Sequence, residues 1–202
     1  QLSIDRLQEK FYQKITNGKD EFKNYLMTIN RQIKDIESLV NEFSSFARMP
    51  SPVFKKIKIN LVIKRAVDFF NMSSSNKISL QTTNKELTIK GDEEQLYRVF
   101  INLIKNSEDS ILEKTTKTID FKGKISVEIK ENNDYIAITQ TDNGIGIEDA
   151  TKIMTPYFTT KKNGTGLGLP IVSKIINEHL GDISITNNKP GVKVLIKLPR
   201  VK

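Results

Sequence analysis

The apolar residues between Phe22 and Phe43 recur at alternating intervals of four and three, which is typical of a helix with one continuous apolar seam. The seam consists of Phe22, Leu26, Ile29, Ile33, Ile36, Val40 and Phe43. A shorter stripe precedes it and consists of Ile4, Leu7, Phe11 and Ile15. The Thr-Asn-Gly-Lys-Asp run at residues 16–20 has turn composition, and we expect Asp20 to cap the second helix. Residues 1–49 therefore predict a helical hairpin.

Two helices alone cannot bury a two-sided seam. Pairing with a second copy into a four-helix bundle would complete the core, so we expect a homodimer. The alternative is that the hairpin packs on the rest of its own chain. The Pro-Ser-Pro run at 50–52 ends the second helix, because proline removes a hydrogen-bond donor and disfavours helix in the residue before it. We expect a linker at 50–52 and a second domain over residues 53–202.

The second domain contains runs of short strand patterns with a few helices, which we expect on one side of the sheet, and this indicates an α+β sandwich. The predicted helices are Leu61–Phe70, a longer helix capped by Asp92 and ending near Leu112, and Leu169–His179. The predicted strands are Ile57–Ile59, Ile78–Leu80, Leu87–Ile89, Lys124–Ile129, Tyr135–Thr139, Ile183–Ile185 and Val192–Ile196.

Composition excludes several classes of site. The chain has no cysteine, which excludes disulfides, thiolate zinc sites and cysteine nucleophiles, and it has one histidine, which excludes paired-histidine metal sites. No apolar run approaches the ~20 residues that span a bilayer. The formal charge is +8, but only six of the 32 basic residues are arginine, so we expect a solvated lysine-rich surface and no nucleic-acid partner.

Glycine is concentrated in one part of the second domain. Five of the ten glycines lie between Gly144 and Gly168, in the runs Asp-Asn-Gly-Ile-Gly-Ile at 142–147 and Gly-Thr-Gly-Leu-Gly-Leu at 164–169. The second run opens directly into a helix, whose free N–H groups and dipole favour a phosphate chain. Its spacing matches neither a Walker loop nor a dinucleotide-binding fingerprint.

Two asparagines on the long helix form a second candidate element. Asn102 and Asn106 are four residues apart, so they lie on one helical face beside the apolar stripe. Amide oxygens are ligands that Mg²⁺ accepts together with substrate phosphates. Taken alone, the pair is equally compatible with two solvated or capping asparagines.

Four segments in order resemble the motifs of sensor histidine kinases. Residues 102–111 resemble their N box, 142–147 their first glycine box, 156–161 (Pro-Tyr-Phe-Thr-Thr-Lys) their F box, and 164–169 their second glycine box. The resemblance implies the Bergerat ATP-binding sandwich, shared with gyrase and MutL, over about residues 53–202. The hairpin resembles the dimerisation and histidine-phosphotransfer bundle, and residues 1–7 and 40–50 are similar to those of NtrY-type nitrogen-regulation sensor kinases.

The resemblance implies roles for particular residues. Asp142 would accept a hydrogen bond from the adenine amino group. Asn106 would hold Mg²⁺ with support from Asn102, and residues 147–163 would form a lid with Phe158 as its hydrophobic pin. The implied ATP-binding set is Asn102, Lys105, Asn106, Asp142, Gly144, Gly146, Ile147, Phe158, Thr160, Lys161, Gly164, Thr165, Gly166, Leu167 and Gly168.

Within this set, the glycines of the first box would shape the adenine pocket, and those of the second would bring backbone N–H groups to the β- and γ-phosphates. For Lys105, Lys161 and Lys162, contact with phosphate and simple solvation are both open. His179 is expected to be structural, at the C-terminus of its helix. The family commonly has two glycines after this histidine, and Leu180 replaces the first.

The implied activity is that of a protein-histidine kinase with ATP and Mg²⁺ as cofactors. The γ-phosphoryl group would pass to a histidine on the bundle and then to an aspartate of a response-regulator receiver domain. By alignment the acceptor histidine would lie roughly ten residues before Gln1, about three helical turns away, with its activating acid beside it. We therefore expect no catalytic acceptor in this chain and no autophosphorylation.

The resemblance further implies the cytoplasmic part of a bacterial protein anchored in the inner membrane, with membrane contact only through segments outside this sequence. Two alternatives remain. One is a gyrase- or MutL-like ATPase, although Asn102 stands where such enzymes use a glutamate base. The other is a non-catalytic nucleotide-binding dimerisation module.

Overall fold

The chain divides into two compact units. The computed structural model describes residues 2–15, 17–74, 76–83, 85–149, 152–161 and 164–201. Residues 1–49 group with Thr159–Thr165 and are called the helical unit, whereas Pro50–Phe158 and Gly166–Lys202 are called the sheet unit. Among the described residues, no helix combines the length and the hydropathy needed to cross a membrane.

In the part of the helical unit that the structure describes, two α-helices contact each other, α1 (Leu2–Phe11) and α2 (Lys19–Ala47), joined through a 3-10 turn at Tyr12–Lys14. The apolar residues Ile4 and Leu26 are buried, at 7% and 5% exposure. Further along α2 the seam is open, since Ile36 and Val40 are 59% and 56% exposed.

The ends of these helices differ from the predictions. Asp20 is not the N-cap of α2, because the chain turns into the helix at Gly18, whose left-handed φ of 84° suits glycine. Asp20 instead lies in the first turn, where its carboxylate faces the positive end of the helix dipole. α1 ends at Phe11, so Ile15 follows the helix in extended backbone, and Thr16 of the predicted turn lies outside the described residues.

The described residues of the sheet unit form three helices and seven strands. The helices are α3 (Ile59–Asn71), α4 (Glu93–Lys117) and α5 (Gly168–Glu178). The strands are β1 (Lys55–Lys58), β2 (Lys77–Gln81), β3 (Thr88–Gly91), β4 (Lys124–Glu131), β5 (Tyr135–Asp142), β6 (Asp182–Asn187) and β7 (Val192–Pro199). Five strands form a sheet in the order β2-β4-β5-β7-β6, with β2 parallel to β4 and the other pairs antiparallel, and β1 pairs with β3 in a separate ribbon.

One face of the five-stranded sheet is buried and the other is half-exposed. Buried and half-buried residues alternate along β4, β5 and β7, as the period of a strand requires. Helix α4 contacts α3, α5 and β4, and its residues Phe100 and Ile104 are 1% and 0% exposed. The predicted α+β sandwich is confirmed.

Two boundaries of the sheet unit also differ from the predictions. Ile59 was expected to end a strand, but it is the first residue of α3 and is fully buried. Its alternation with Ile57 imitates a strand, while its side chain in fact begins the apolar face of α3. Helix α4 continues to Lys117, past Leu112, because its last turns are stabilised by polar pairs such as Lys117 with Glu113 at 2.7 Å.

Asp92 caps α4, as predicted. Its carboxylate accepts hydrogen bonds from the backbone N–H groups of Val53 at 2.8 Å and of Glu94 and Gln95 at 3.1 Å each. Burial by itself would raise the pKa of Asp92, but these three donors outweigh it and hold the pKa below its usual value. Gln95 Nε2 donates to the Pro50 carbonyl at 2.9 Å, so the chain before β1 is bonded to the first turn of α4.

His179 connects the end of α5 to the start of α4. Its ring is 3% exposed and lies against Phe54, with ring centroids 5.1 Å apart. Nε2 accepts from the Asp92 backbone N–H at 2.9 Å, and Nδ1 lies 2.8 Å from the Ile175 carbonyl, which can only accept. The structural interpretation of His179 is confirmed, because both ring nitrogens are used inside the fold.

Candidate functional site

Asp142, the last residue of β5, is a buried carboxylate with three described hydrogen bonds. It is 8% exposed. Oδ1 accepts from the backbone N–H groups of Gly144 at 2.9 Å and Val192 at 3.3 Å, and Oδ2 accepts from the Ser107 hydroxyl at 2.9 Å. A carboxylate offers about four lone-pair positions, so about one acceptor position remains, on Oδ2.

A buried polar pair lies behind this carboxylate. Ser107 on α4 and Gln140 on β5 are 4% and 3% exposed. Gln140 Nε2 donates to both the Leu103 carbonyl and the Ser107 hydroxyl oxygen, at 2.9 Å each. The Asp142 carboxylate is therefore held by Ser107, which is in turn held by Gln140.

The loop after β5 is held against α4. Ser110 Oγ accepts from the Ile145 backbone N–H at 3.1 Å. Lys114 Nζ donates to the carbonyls of Asn143 at 2.7 Å and Gly144 at 3.0 Å. Gly144 leaves no room for a Cβ because Ser110 occupies that space. The first glycine of the run is thus needed for the close approach of loop and helix.

The far side of the same loop is held by the last residue of β6 and by the connection to β7. Asn187 pairs with the backbone of Ile147, accepting from its N–H at 2.8 Å and donating to its carbonyl at 2.7 Å. Gly146 has a φ of 86°, which favours glycine. Gly191 also has a positive φ, 96°, and a Cβ there would collide with Asp142. Residues 142–147 therefore have a fixed backbone path.

The second glycine run meets the asparagine pair. α5 begins at Gly168, where a Cβ would lie 3.5 Å from Asn102 Oδ1 and 3.9 Å from Asn106 Nδ2. Asn102 Nδ2 donates to the Arg98 carbonyl at 2.9 Å. The residue at the N-cap of α5 is Leu167, whose apolar side chain cannot accept a hydrogen bond from the N–H groups of the first turn. The structure thus brings a helix N-terminus, which favours anions, to two amide side chains.

Gly166 packs against the end of the F-box segment. Its φ is 69°, and a Cβ there would lie 2.8 Å from the Phe158 backbone nitrogen. The Tyr157 N–H donates to the Gly166 carbonyl at 3.1 Å. Leu167, which follows, is fully buried, whereas Phe158 is half-buried.

The remaining predicted residues lie on α4 and in the segment Thr159–Thr165. Lys105 is exposed on α4. Thr160, Lys161, Gly164 and Thr165 lie in Thr159–Thr165, which groups with the helical unit and has its own short-range bonds, such as Gly164 N–H to the Lys161 carbonyl at 3.2 Å.

The predicted lid spans residues 147–163. Ala150, Thr151, Lys162 and Asn163 lie outside the described residues. The part that the structure describes contains turns and bends but neither helix nor strand.

The donors near the α5 N-terminus fit a magnesium ion that is shared with a ligand. Within the described ranges, no group of three histidine, cysteine, aspartate or glutamate side chains forms a metal centre. The side-chain oxygen of Asn102 and the side-chain amide of Asn106, whose nitrogen is the atom nearer to Gly168, lie beside a helix N-terminus of the type that binds phosphate. Mg²⁺ is commonly held by one or two protein oxygens, with the other ligands from phosphates and water.

Several residues that shape the site were not predicted: Ser107, Ser110, Lys114, Gln140, Asn187 and Gly191. One of them had a usable signal. Gln140 is a polar residue at an inward position of β5, between the apolar Ile138 and the buried Asp142. Such a residue needs a hydrogen-bonded partner, which the strand pattern alone does not identify.

Comparison with known proteins agrees with this geometry. The family described as "Histidine kinase-, DNA gyrase B-, and HSP90-like ATPase" matches residues 91–202, which include α4, the loop after β5 and α5. The chain belongs to this ATPase family.

Relatives extend the similarity over nearly the whole chain. It is 32% identical over 200 residues to nitrogen regulation protein NtrY of Azorhizobium caulinodans, covering 98% of this chain and 26% of that relative. The predicted resemblance to sensor histidine kinases is thereby confirmed. The chain spans only about a quarter of the length of this relative.

Solved structures show the same fold. The nucleotide-free catalytic domain of histidine kinase ThkA matches with a TM-score of 0.64 and 28% identity, over 73% of this chain and 96% of that one. ThkA in complex with response regulator protein TrrA matches with a TM-score of 0.71 and 22% identity, over 98% of this chain and 57% of that one. At this identity the second match concerns the fold alone.

Proposed function

We propose that this chain is the catalytic region of a sensor histidine kinase, which binds Mg-ATP and directs its γ-phosphoryl group to a histidine and then to a response-regulator aspartate. The observation that carries the proposal is that α4 meets two separate elements, the N-terminus of α5 and the Asp142 carboxylate. Asn102 and Asn106 lie beside the N-terminus of α5, and Ser107 contacts Asp142. A phosphate-binding and a base-binding element on one rigid helix fit a nucleotide.

Asp142 would recognise the base. Its remaining acceptor position on Oδ2 matches an N–H donor such as the exocyclic amine of adenine. A carbonyl at the same ring position would meet the carboxylate as a second acceptor and be repelled. The fixed path of residues 142–147, with Gly144, Gly146 and Ile147, would form the wall of the pocket.

The N-terminus of α5 would bind the phosphates. Backbone N–H groups around Gly166, Leu167 and Gly168 lie where the helix dipole favours negative charge. Thr160, Lys161, Gly164 and Thr165 would join when the lid closes over the nucleotide, with Phe158 as its hydrophobic pin. Lys105, exposed on α4, would approach the phosphates from solvent.

Asn106 would hold Mg²⁺ through its side-chain oxygen, with Asn102 orienting the site. The ion supplies charge neutralisation on the phosphates when bound. Asn102 also bears on the nature of the reaction, because an amide cannot remove a proton from water. Its nitrogen donates to the Arg98 carbonyl, which directs its oxygen toward α5. This favours phosphoryl transfer to a protein side chain over a gyrase- or MutL-like hydrolysis.

The helical unit would supply dimerisation and the docking surface. Ile29, Ile36, Val40 and Phe43 are 43–59% exposed on α2, and pairing with a second copy in a four-helix bundle would bury them. The receiver domain of a response regulator would dock on that bundle. ThkA, which shares this fold, is bound to response regulator protein TrrA in a solved structure, and we propose the same kind of partner for this chain.

The phosphoryl acceptor would not be His179. Both of its ring nitrogens are hydrogen-bonded and its side chain is buried. We therefore propose that the chain binds nucleotide without phosphorylating itself.

Two measurements test the proposal. In titration calorimetry, the wild type should bind Mg-ATP, and Asp142→Asn should weaken binding at least tenfold because the amide nitrogen turns a donor toward the base. Glu86→Gln, which changes an exposed acid of the same unit, is the control. Unchanged affinity in Asp142→Asn would contradict the proposal.

With γ-labelled ATP, no acid-labile label should form on the wild-type chain. Label that appears and is lost in His179→Gln would show that His179 is the acceptor. A non-catalytic module would be indicated if a longer chain of the same protein bound ATP but transferred no label to any histidine.

A further inference from the structure

The buried pair behind Asp142 is placed to control how that carboxylate meets a ligand. We infer that Gln140 and Ser107 are positioning residues for the Asp142 carboxylate. They leave it one open acceptor position and thereby select a purine that bears a 6-amino group. This inference rests on the proposed nucleotide site, and it explains how that site would distinguish one base from another.

The first step concerns the proton of Ser107. A serine inside a helix commonly donates to the carbonyl four residues earlier, which here is Leu103. That carbonyl instead accepts from Gln140 Nε2 at 2.9 Å. Because a carbonyl can only accept, it fixes which end of the Gln140 amide faces α4.

The second step follows from that orientation. The same Gln140 nitrogen donates to Ser107 Oγ at 2.9 Å, so the hydroxyl is an acceptor on that side. Its single proton is directed to Asp142 Oδ2, also at 2.9 Å. Gln140 thus prevents Ser107 from donating to its own helix, so that the Ser107 hydroxyl donates to the Asp142 carboxylate instead.

The third step is the effect on Asp142. Oδ1 is used by two backbone N–H groups, those of Gly144 and Val192. With Ser107 on Oδ2, about one lone-pair position is left. Without that proton the direction of Oδ2 would no longer be fixed and a water molecule would compete for the acceptor that the amino group needs, whereas a ligand without that group would lose no bond.

The choice of residue at 140 supports a role beyond packing. Ile136 and Ile138 are the other inward residues nearby on β5, at 0% and 1% exposure. Among the described residues, Gln140 Oε1 is buried without a hydrogen-bond partner. Such an atom destabilises a fold relative to an apolar side chain of similar size, so stability alone would favour leucine.

The test measures dissociation constants by calorimetry for two ligands, Mg-ATP and the triphosphate of purine riboside, which lacks the 6-amino group. The proteins are the wild type, Ser107→Ala, Gln140→Leu and the double variant. Gln95→Leu is the matched control, because Gln95 is also a buried glutamine with an unpaired oxygen but bonds to Pro50.

We expect each single variant to weaken ATP binding about tenfold and to change the affinity for the analogue less than twofold. The double variant should be no weaker than Ser107→Ala, since both changes act through one hydrogen bond. Gln95→Leu should bind both ligands as the wild type does. In urea unfolding, Gln140→Leu should be at least as stable as the wild type.

Equal losses for both ligands would overturn the inference in favour of a purely structural role, as would unchanged ATP affinity in Ser107→Ala. If Gln140→Leu does not fold, Ser107→Ala alone decides, because it keeps the Gln140 bond to Leu103. A wild type that binds neither ligand would instead overturn the proposed function.

Discussion

The sheet unit and the helical unit use their apolar residues in opposite ways. In the sheet unit the large side chains of α4, such as Phe100 and Ile104, are almost completely buried by the chain itself. On α2, Ile36, Val40 and Phe43 are about half-exposed although their spacing is that of a core. The difference indicates that the sheet unit completes its own core, whereas α2 presents a face suited to a partner.

The largest expected effect comes from the best-buried aromatic residue. Phe100→Ala should reduce the free energy of unfolding of the sheet unit by about 3–5 kcal/mol, through lost burial and the cavity left behind. The matched change Phe43→Ala is made at a side chain that is 49% exposed on α2. It should change the free energy of unfolding of the helical unit by less than about 1 kcal/mol. Urea unfolding followed by circular dichroism measures both, and equal losses would remove the contrast between the units.

Two glycines with similar φ values sharpen the comparison. Gly191→Ala should reduce the free energy of unfolding by about 2–4 kcal/mol, because it adds backbone strain at φ 96° to a collision with Asp142. Gly18→Ala, at φ 84°, meets only Glu21 Oε2 at 3.9 Å and should cost about 1 kcal/mol. Thermal unfolding gives both values. A Gly18→Ala loss as large as that of Gly191→Ala would mean that strain, rather than packing, decides.

Helix caps provide a third contrast. Asp92→Ala should destabilise the sheet unit by about 1–2 kcal/mol at pH 7, because three backbone donors lose their acceptor. The pKa of Asp92 is lowered in the folded state, so its contribution is complete above the carboxyl's unfolded value of about 3.9 and is lost as the pH falls below it. The difference in free energy of unfolding between Asp92→Ala and the wild type should therefore become smaller below pH 4.

Asp20→Ala in α2 is the control for Asp92. Asp20 lies in the first turn rather than at the N-cap, so we expect a loss of only about 0.3–1 kcal/mol. A difference for Asp92→Ala that is independent of pH between 3 and 7 would contradict the role given to its carboxylate.

The smallest effect on folding is expected on the open face of α2. Ile36→Lys should change the free energy of unfolding of the isolated chain by less than about 0.5 kcal/mol, since Ile36 is 59% exposed. It should nevertheless abolish self-association if α2 pairs with a second copy as proposed. Sedimentation equilibrium measures this, and a variant that associates like the wild type would place the dimer contact elsewhere.

The elements of the sheet unit could be predicted where one local signal dominates. Asp92 marked the start of α4 because its side chain bonds within the next three residues. The end of α4 was missed because the apolar stripe stops near Leu112, whereas the following turns, to Lys117, are polar and stabilised in pairs. Gly18 was overlooked because aspartate is also a common cap and the sequence does not show which residue adopts the left-handed conformation.

The candidate site divides in the same way. Asp142 and the glycines were found because they form short runs of fixed spacing. Gln140 stands out as a polar residue at an inward strand position, but its contact with Ser107 and that of Asn187 with Ile147 could not be predicted, because the partners are 33 and 40 residues apart in the sequence. Contacts of this kind form only when distant segments come together in the fold, so the pattern of a single strand does not predict them.

His179 gives this protein an internal spectroscopic marker. The chain has one histidine, so its imidazole yields a single set of ring-nitrogen signals in NMR. Nε2 faces the Asp92 N–H and Nδ1 faces the Ile175 carbonyl, so the two ring nitrogens have partners of opposite kind and we expect separate shifts for them. α5 begins beside Asn102 and Asn106 and is followed directly by His179, so these two resonances report whether α4 and α5 stay docked when a ligand occupies the other end of α5.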